Sequence, residues 1–128
     1  MHGRVYVERG VRVSVARGAR VVLEDGCRLG ERCRIEASGG IVRIGPGARI
    51  GERAVLVAVA GIEVGSRCDV GSWALIADAD PAFADGAAVT RLGDGARIGI
   101  HAAVLAGASV APGDVVAPYE TRAPRRSA

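Results

Sequence analysis

The hexad Ile44-Gly45-Pro46-Gly47-Ala48-Arg49 is the stretch of sequence that decides the fold. Its pattern is an aliphatic residue, a glycine, two variable residues, a small residue and one more. The pattern returns at residues 64–69 (VGSRCD) and at residues 92–97 (LGDGAR). Outward from these hexads, aliphatic residues recur at every sixth position over nearly the whole chain, although Arg17 breaks the first block. Such a short internal period is typical of a solenoid.

Six residues are enough for one flat face, and three faces close a coil of about 18 residues whose neighbours stack by parallel strand pairing. We therefore predict an all-β fold, a single-stranded left-handed parallel β-helix of about five to six coils. We expect residues 1–120 to form one domain with a loop insertion at 77–91, and residues 121–128 to be a flexible basic tail. An antiparallel sheet would suit the alternation at residues 11–15, but it does not explain the six-residue period.

The charge pattern argues against two classes of partner. All 17 basic residues are arginines, the net charge is +3, and aromatic residues make up 3% of the chain. Because the arginines are scattered along the repeats without interleaved aromatic residues, we expect no nucleic-acid partner. No apolar run is long enough for a membrane span, and the first residues lack the apolar stretch of a signal peptide. We expect a cytoplasmic protein.

The cysteines and histidines do not form a metal-binding pattern. Cys27, Cys33 and Cys68 all occupy the small fifth position of a hexad, which predicts buried, reduced side chains. Of the two histidines, His2 is near the first residue and His101 is at an outward fourth position of its hexad. The spacing matches no zinc motif, so we expect no bound metal.

The hexads resemble those of the hexapeptide-repeat acyltransferases, such as the maltose and galactoside acetyltransferases, over residues 5–120. The resemblance implies transfer of an acetyl or similar acyl group from acetyl-CoA to a hydroxyl or amine. A sugar or another small molecule would be the acceptor. It also implies a homotrimer with sites between subunits. Because one fold serves many functions, the reaction must be argued from the site.

The resemblance implies a catalytic histidine at the start of the insertion, but the insertion contains none. The matching stretch reads Asp78-Ala79-Asp80-Pro81. One interpretation makes Asp80 the general base with Asp78 as its like-charged neighbour, and another gives the task to His101. A third is an inactive β-helix that serves as a trimeric scaffold or partner subunit. The structural interpretation of both aspartates is turn formation beside proline.

Other candidate residues follow from the same resemblance. Trp73 and Phe83 are candidates for substrate binding, with packing of the loop as the alternative. Ile100 and Pro118 match positions whose backbone contacts the pantetheine arm of the cofactor. Arg122 is a candidate for binding its phosphates, because guanidinium groups form charge-assisted hydrogen bonds with phosphate.

Overall fold

The computed structural model describes residues 4–78, 89–105 and 107–123. These residues form short strands joined by tight turns. The strands are β1 (Tyr6–Val7), β2 (Arg12–Val15), β3 (Arg20–Leu23), β4 (Arg28–Leu29), β5 (Arg34–Ala37), β6 (Ile41–Ile44), β7 (Arg49–Ile50), β8 (Val55–Ala58), β9 (Gly61–Val64), β10 (Asp69–Val70), β11 (Leu75–Ala77), β12 (Thr90–Leu92), β13 (Arg97–Ile98), β14 (Ala103–Val104), β15 (Ser109–Val110), β16 (Val115–Val116) and β17 (Thr121–Arg122).

Each strand pairs in parallel with the strand three places later in the chain. This pairing produces three sheets, which we name A, B and C. Sheet A has the order β1-β4-β7-β10-β13-β16, sheet B the order β2-β5-β8-β11-β14-β17, and sheet C the order β3-β6-β9-β12-β15. One strand of each sheet makes one coil, so the described residues form five complete coils and part of a sixth. The predicted single-stranded parallel β-helix is confirmed.

The coils are longer than predicted at the N-terminal end. The first coil spans the interval between the paired residues Tyr6 and Arg28, whereas the last complete coil spans the shorter interval between Arg97 and Val115. The last complete coil has the predicted length. The first three coils are longer because their strands in sheets B and C have four residues each. The fourth, between Asp69 and Arg97, contains the insertion.

The core is a column of inward-facing aliphatic side chains. The largest fully buried side chains are Leu29, Ile35, Ile44, Ile50, Leu56, Ile62, Ile76, Val42, Val70, Val104 and Val116, together with Thr90. Burying one such aliphatic side chain contributes about 1.5–3 kcal/mol. The three cysteines are free and buried beside them, as predicted, and burial raises the pKa of Cys33 to about 11.

The β-helix extends past its predicted end. Thr121 and Arg122 form β17, which pairs with Ala103 and Val104 of β14. The first two residues of the predicted tail are therefore part of the last coil, because their backbone groups complete the edge of sheet B. Residues 124–128 of that tail lie outside the described residues. Within the described ranges, the structure contains no helix long and apolar enough to cross a membrane.

Candidate functional site

The outer face of sheet B changes from charged to apolar along the β-helix. In register, its outward residues begin with Arg12 and Arg34 in the first two coils. In the third, fourth and fifth coils the face is apolar, and in the partial sixth coil the column ends on the exposed Thr121. We name its apolar residues the lateral patch: Val55, Val57, Leu75, Ala103 and Leu105. Leu75 is 37% exposed, and the other four residues are half-buried.

The corresponding faces of the other two sheets stay mostly polar. The outward column of sheet A runs Tyr6, Arg28, Arg49, Asp69, Arg97 and Val115. On sheet C, Arg43, Glu63 and Arg91 are aligned, and Arg91 pairs with Glu63 at 2.9 Å. Among the described residues, the lateral patch is therefore the extended apolar stretch on the outer surface. Contiguous exposed apolar surface usually marks an interaction site.

The lateral patch is bordered by a stack of side chains at the corner between sheets A and B. The rings of Trp73 and His101 are parallel with centroids 5.8 Å apart, and those of His101 and Tyr119 are 5.0 Å apart. The Arg53 guanidinium lies 5.1 Å from the centre of the Trp73 ring. We name these four residues the corner ladder. Both faces of the His101 ring are covered, so its edge faces solvent.

The four residues of the corner ladder have an unfavourable backbone conformation. Arg53, Trp73, His101 and Tyr119 all have φ between +56° and +65°. Side chains cost roughly 1–2 kcal/mol per residue in this region, which glycine occupies freely. At the corner between sheets C and A, most of these positions are glycines: Gly26, Gly47, Gly95 and Gly113. The A–B corner thus keeps large side chains at positions where glycine would be less strained, which is typical of functional sites.

Four residues predicted for the site lie together at this corner. Trp73 and His101 belong to the ladder, and the exposed Ile100 and Pro118 precede His101 and Tyr119 in successive turns. Their roles in substrate, catalytic and cofactor contacts stay predictions. The other described candidates, Asp78 and Arg122, are elsewhere.

Asp78 directly follows β11, at the corner between sheets B and C, and its carboxylate is directed into the protein. The residue is 0% exposed. Its carboxylate accepts hydrogen bonds from the backbone N–H groups of Val59 (2.8 and 2.9 Å), Ala60 (2.6 Å) and Gly61 (2.5 Å). These hydrogen bonds connect Asp78 to the turn between β8 and β9 in the preceding coil and stabilise that turn. A carboxylate engaged in this way is poorly placed to accept a proton from a substrate, so the geometry favours a structural role.

Thr90 secures the other end of the insertion. Its buried hydroxyl donates to the Ala77 carbonyl at 3.1 Å and accepts from the Gly107 N–H at 3.0 Å. The strands on both sides of the insertion are therefore fixed by buried polar contacts. The candidates Asp80 and Phe83 lie outside the described residues.

Arg122 lies at the C-terminal end of the β-helix. Its guanidinium contacts Asp114 Oδ2 at 2.9 Å and Glu120 Oε2 at 3.0 Å. A hydrogen bond from the Val115 N–H, and to a smaller extent one from Arg122, hold the pKa of Asp114 below its usual value. A hydrogen bond from the Ala117 N–H, and to a smaller extent one from Arg122, lower the pKa of Glu120 in the same way. The predicted phosphate contact of Arg122 stays untested, and in this structure its guanidinium binds carboxylates of its own chain.

A surface groove lies away from all of these residues. It has a volume of about 650 Å³ and lies along the outer face of sheet C, with Pro46, Arg91 and Pro112 among its lining residues. The groove is open to solvent, and the exposed Arg91–Glu63 ion pair forms part of its wall. Within the ranges that the structure describes, no three His, Cys, Asp or Glu side chains are grouped to hold a metal ion.

Sequence reasoning did not identify Tyr119 and Arg53 as part of the site. The signal for them is their position in the repeat. Arg53, Trp73, His101 and Tyr119 each stand three residues after a buried aliphatic residue that ends a strand of sheet A. Residues at equal positions of successive coils stack directly, so Trp73 and His101 could have indicated the other two.

Comparison with known proteins supports the fold. No family model matches the sequence, and no curated protein matches it. Among solved structures, the chain is similar to the N-terminal domain of CcmM, whose crystal structure is in complex with CcmN. The TM-score is 0.55 and the identity 22%, over 96% of this chain and 87% of the other. At this identity, the chain shares with that domain the β-helical fold.

Proposed function

We propose that this chain is a scaffold subunit that assembles through the outer face of sheet B, with a homotrimer as its own assembly. The observation that carries the proposal is the change of that face from charged in the first two coils to apolar in the next three. A β-helix buries its interior within each chain, so apolar residues on an outer face do not serve its own core. Closed symmetric assemblies are the common outcome for such surfaces.

The corner ladder supports this proposal. Trp73 is 53% exposed and lies beside Leu75, at the border of the lateral patch. Aromatic and arginine side chains are enriched among the residues that dominate binding energies at protein interfaces. Stacking fixes their orientation before binding, which lowers the entropy lost when a partner docks. Unfavourable backbone conformations at these positions are consistent with selection for an interaction.

The position of Asp78 disfavours catalysis by this residue. Its carboxylate oxygens already accept four hydrogen-bond contacts from three backbone N–H groups. It also follows β11, whereas Trp73 precedes that strand, so the two residues lie at opposite ends of it. Asp78 and the residues of the A–B corner therefore do not converge within one subunit.

The assembly can be measured by light scattering coupled to size-exclusion chromatography. We expect the wild-type mass to be three times that of the chain at low micromolar concentration. Leu75→Glu should produce monomers, because an unpaired charge buried in an apolar interface costs about 3 kcal/mol or more, roughly 100-fold in affinity. Val115→Glu is the matched control, since Val115 is 55% exposed on sheet A. Loss of assembly in both variants, or in neither, would contradict the proposal.

Acyl transfer from acetyl-CoA is the second candidate function. It is favoured by the grouping of Trp73, Ile100, His101 and Pro118 at one corner. In this proposal, a second subunit packed on sheet B brings its corner between sheets B and C against this corner. The edge of the His101 ring then accepts the proton of a sugar hydroxyl or of another small acceptor.

Thermal unfolding with and without acetyl-CoA distinguishes the two functions. A ligand at 100 times its dissociation constant stabilises the native state by about 2.7 kcal/mol. For a scaffold we expect no change in the melting temperature at millimolar acetyl-CoA. A rise of several degrees would support the transferase instead. Acetylation of an acceptor that is lost in His101→Ala would identify the base.

A further inference from the structure

The N-terminal end of the β-helix exposes the interior of its first coil. β1, β2 and β3 are the terminal strands of sheets A, B and C, so each has one neighbouring strand. Val7, Val13 and Val15 align with buried residues of the second coil and therefore point inward. They are nevertheless 57%, 43% and 49% exposed. This end thus combines apolar side chains with strand edges that lack a second partner strand among the described residues.

The C-terminal end is closed by a polar side chain. Arg122 is aligned with the inward-facing, buried Val104. From sheet B its guanidinium reaches Asp114, at the corner between sheets C and A, and so extends across the end of the coil. Val116, on the last strand of sheet A, is fully buried. The equivalent position on the first strand of that sheet is the exposed Val7.

We propose that the N-terminal end binds the N-terminal end of a second copy, which forms a two-fold, end-to-end dimer. A partner for this surface must present three strand edges with the same triangular spacing around an apolar centre. The chain's own N-terminal end meets this requirement. Its C-terminal end does not, because Arg122 and its two carboxylates would lose water against Val13 and Val15.

A two-fold contact of this kind closes on itself. Both copies use the same surface, so the contact is self-complementary and no N-terminal end is left over. Pairing of free strand edges between chains is a common mode of association. In this dimer the facing strands would run antiparallel, since the two coils meet by a two-fold rotation. The closed C-terminal ends would point outward, which stops growth into a filament.

The size of the end sets the expected affinity. A coil with sides of about 20 Å presents roughly 400 Å² when its side chains are included. Stable complexes bury about 800 Å² per partner. Because the end offers only about half of that area, we expect a weak contact, with a dissociation constant of about 10–100 µM. The association would add to lateral assembly through sheet B, because it uses different residues, and would double whatever mass that assembly has.

Sedimentation equilibrium tests the proposal, with concentrations from about 1 to 500 µM to cover the expected affinity. We expect the average mass of the wild-type chain to double over this range. Val13→Asp combined with Val15→Asp should abolish the doubling. Ser14→Asp is the matched control, because Ser14 lies between the two valines and faces outward. Circular dichroism checks that each variant is folded.

Two further measurements keep the result independent of folding and of lateral assembly. Val13→Thr with Val15→Thr preserves side-chain shape and should weaken the doubling at least tenfold. Leu75→Glu should still double its mass, even where the lateral assembly is lost. A wild-type mass that is constant over the whole concentration range would overturn the proposal, as would doubling that persists in the aspartate variant.

Discussion

Replacing Asp78 by alanine removes the acceptor for three backbone N–H groups at once. The Gly61 N–H is buried, and leaving it without a partner costs about 1–3 kcal/mol. The Val59 and Ala60 groups are partly buried, so water can replace the lost contacts at a cost of about 1 kcal/mol each. The sum is about 3–5 kcal/mol, a large fraction of the roughly 5–15 kcal/mol typical of a domain.

The assay is urea unfolding followed by circular dichroism, with thermal unfolding as a second measurement. For a chain of this length, the loss should lower the melting temperature by about 10–20 °C. Asp78→Asn retains one acceptor oxygen but places an amide donor against backbone donors, so we expect about half the loss. Both variants must be compared with the wild type in the same state of assembly, because association adds stability.

The control is Asp69→Ala, which removes an exposed carboxylate from the outer face of sheet A. It should change stability by no more than about 0.5 kcal/mol. If Asp78→Ala stays within about 1 kcal/mol of the wild type, the reasoning about the turn between β8 and β9 is refuted. In that case the carboxylate would again be a candidate for chemistry.

Two other properties should follow from the structure. Lowering the pH from about 6 to 3 should reduce the melting temperature. Hydrogen bonds in the folded chain lower the pKa values of Asp114 and Glu120 from their usual 3.8 and 4.5. These bonds therefore stabilise the fold at a pH above the usual values, and this stability is lost as the pH falls through the lowered ones. Arg122→Met should flatten that pH dependence, and an unchanged slope would argue against the closure of this end. Gly40→Ala should cost more than about 3 kcal/mol in urea unfolding, because a Cβ there overlaps the Ala60 carbonyl and φ is +68°. Gly18→Ala, at the same corner with open space around it, should cost about 1 kcal/mol, and equal losses would contradict the overlap.

The inward-facing residues were predictable because the hexad period records the geometry of the coil. Residues such as Leu29, Ile50 and Val104 recur at the spacing that brings a side chain back to the interior, and all are buried. The coil length was not predictable in the same way. Strands of two and of four residues both fit the hexad pattern locally, so the pattern does not show where a longer strand shifts the phase. Counted in steps of six, Arg17 therefore falls at an inward position. In the structure Arg17 is in the exposed turn between β2 and β3.

The candidate site was predictable residue by residue but not as an arrangement. The repeat places Trp73 and His101 at outward positions, yet their contact depends on the length of the fourth coil, which the insertion sets. The role of Asp78 depends on a turn 17 to 19 residues earlier in the chain. Polar contacts between coils leave no periodic signal, since each is made by one pair of residues.

The shortening of the coils, from the interval Tyr6–Arg28 to the interval Arg97–Val115, gives the subunit a taper. Apart from the insertion, its perimeter shrinks toward the C-terminal end, so the body is a wedge and not a straight prism. Wedges packed side by side by one face have converging axes, so their contact faces do not stay parallel over many copies. Straight prisms could continue into a flat layer. The lengths of a few strands thus work against lateral growth into a flat layer.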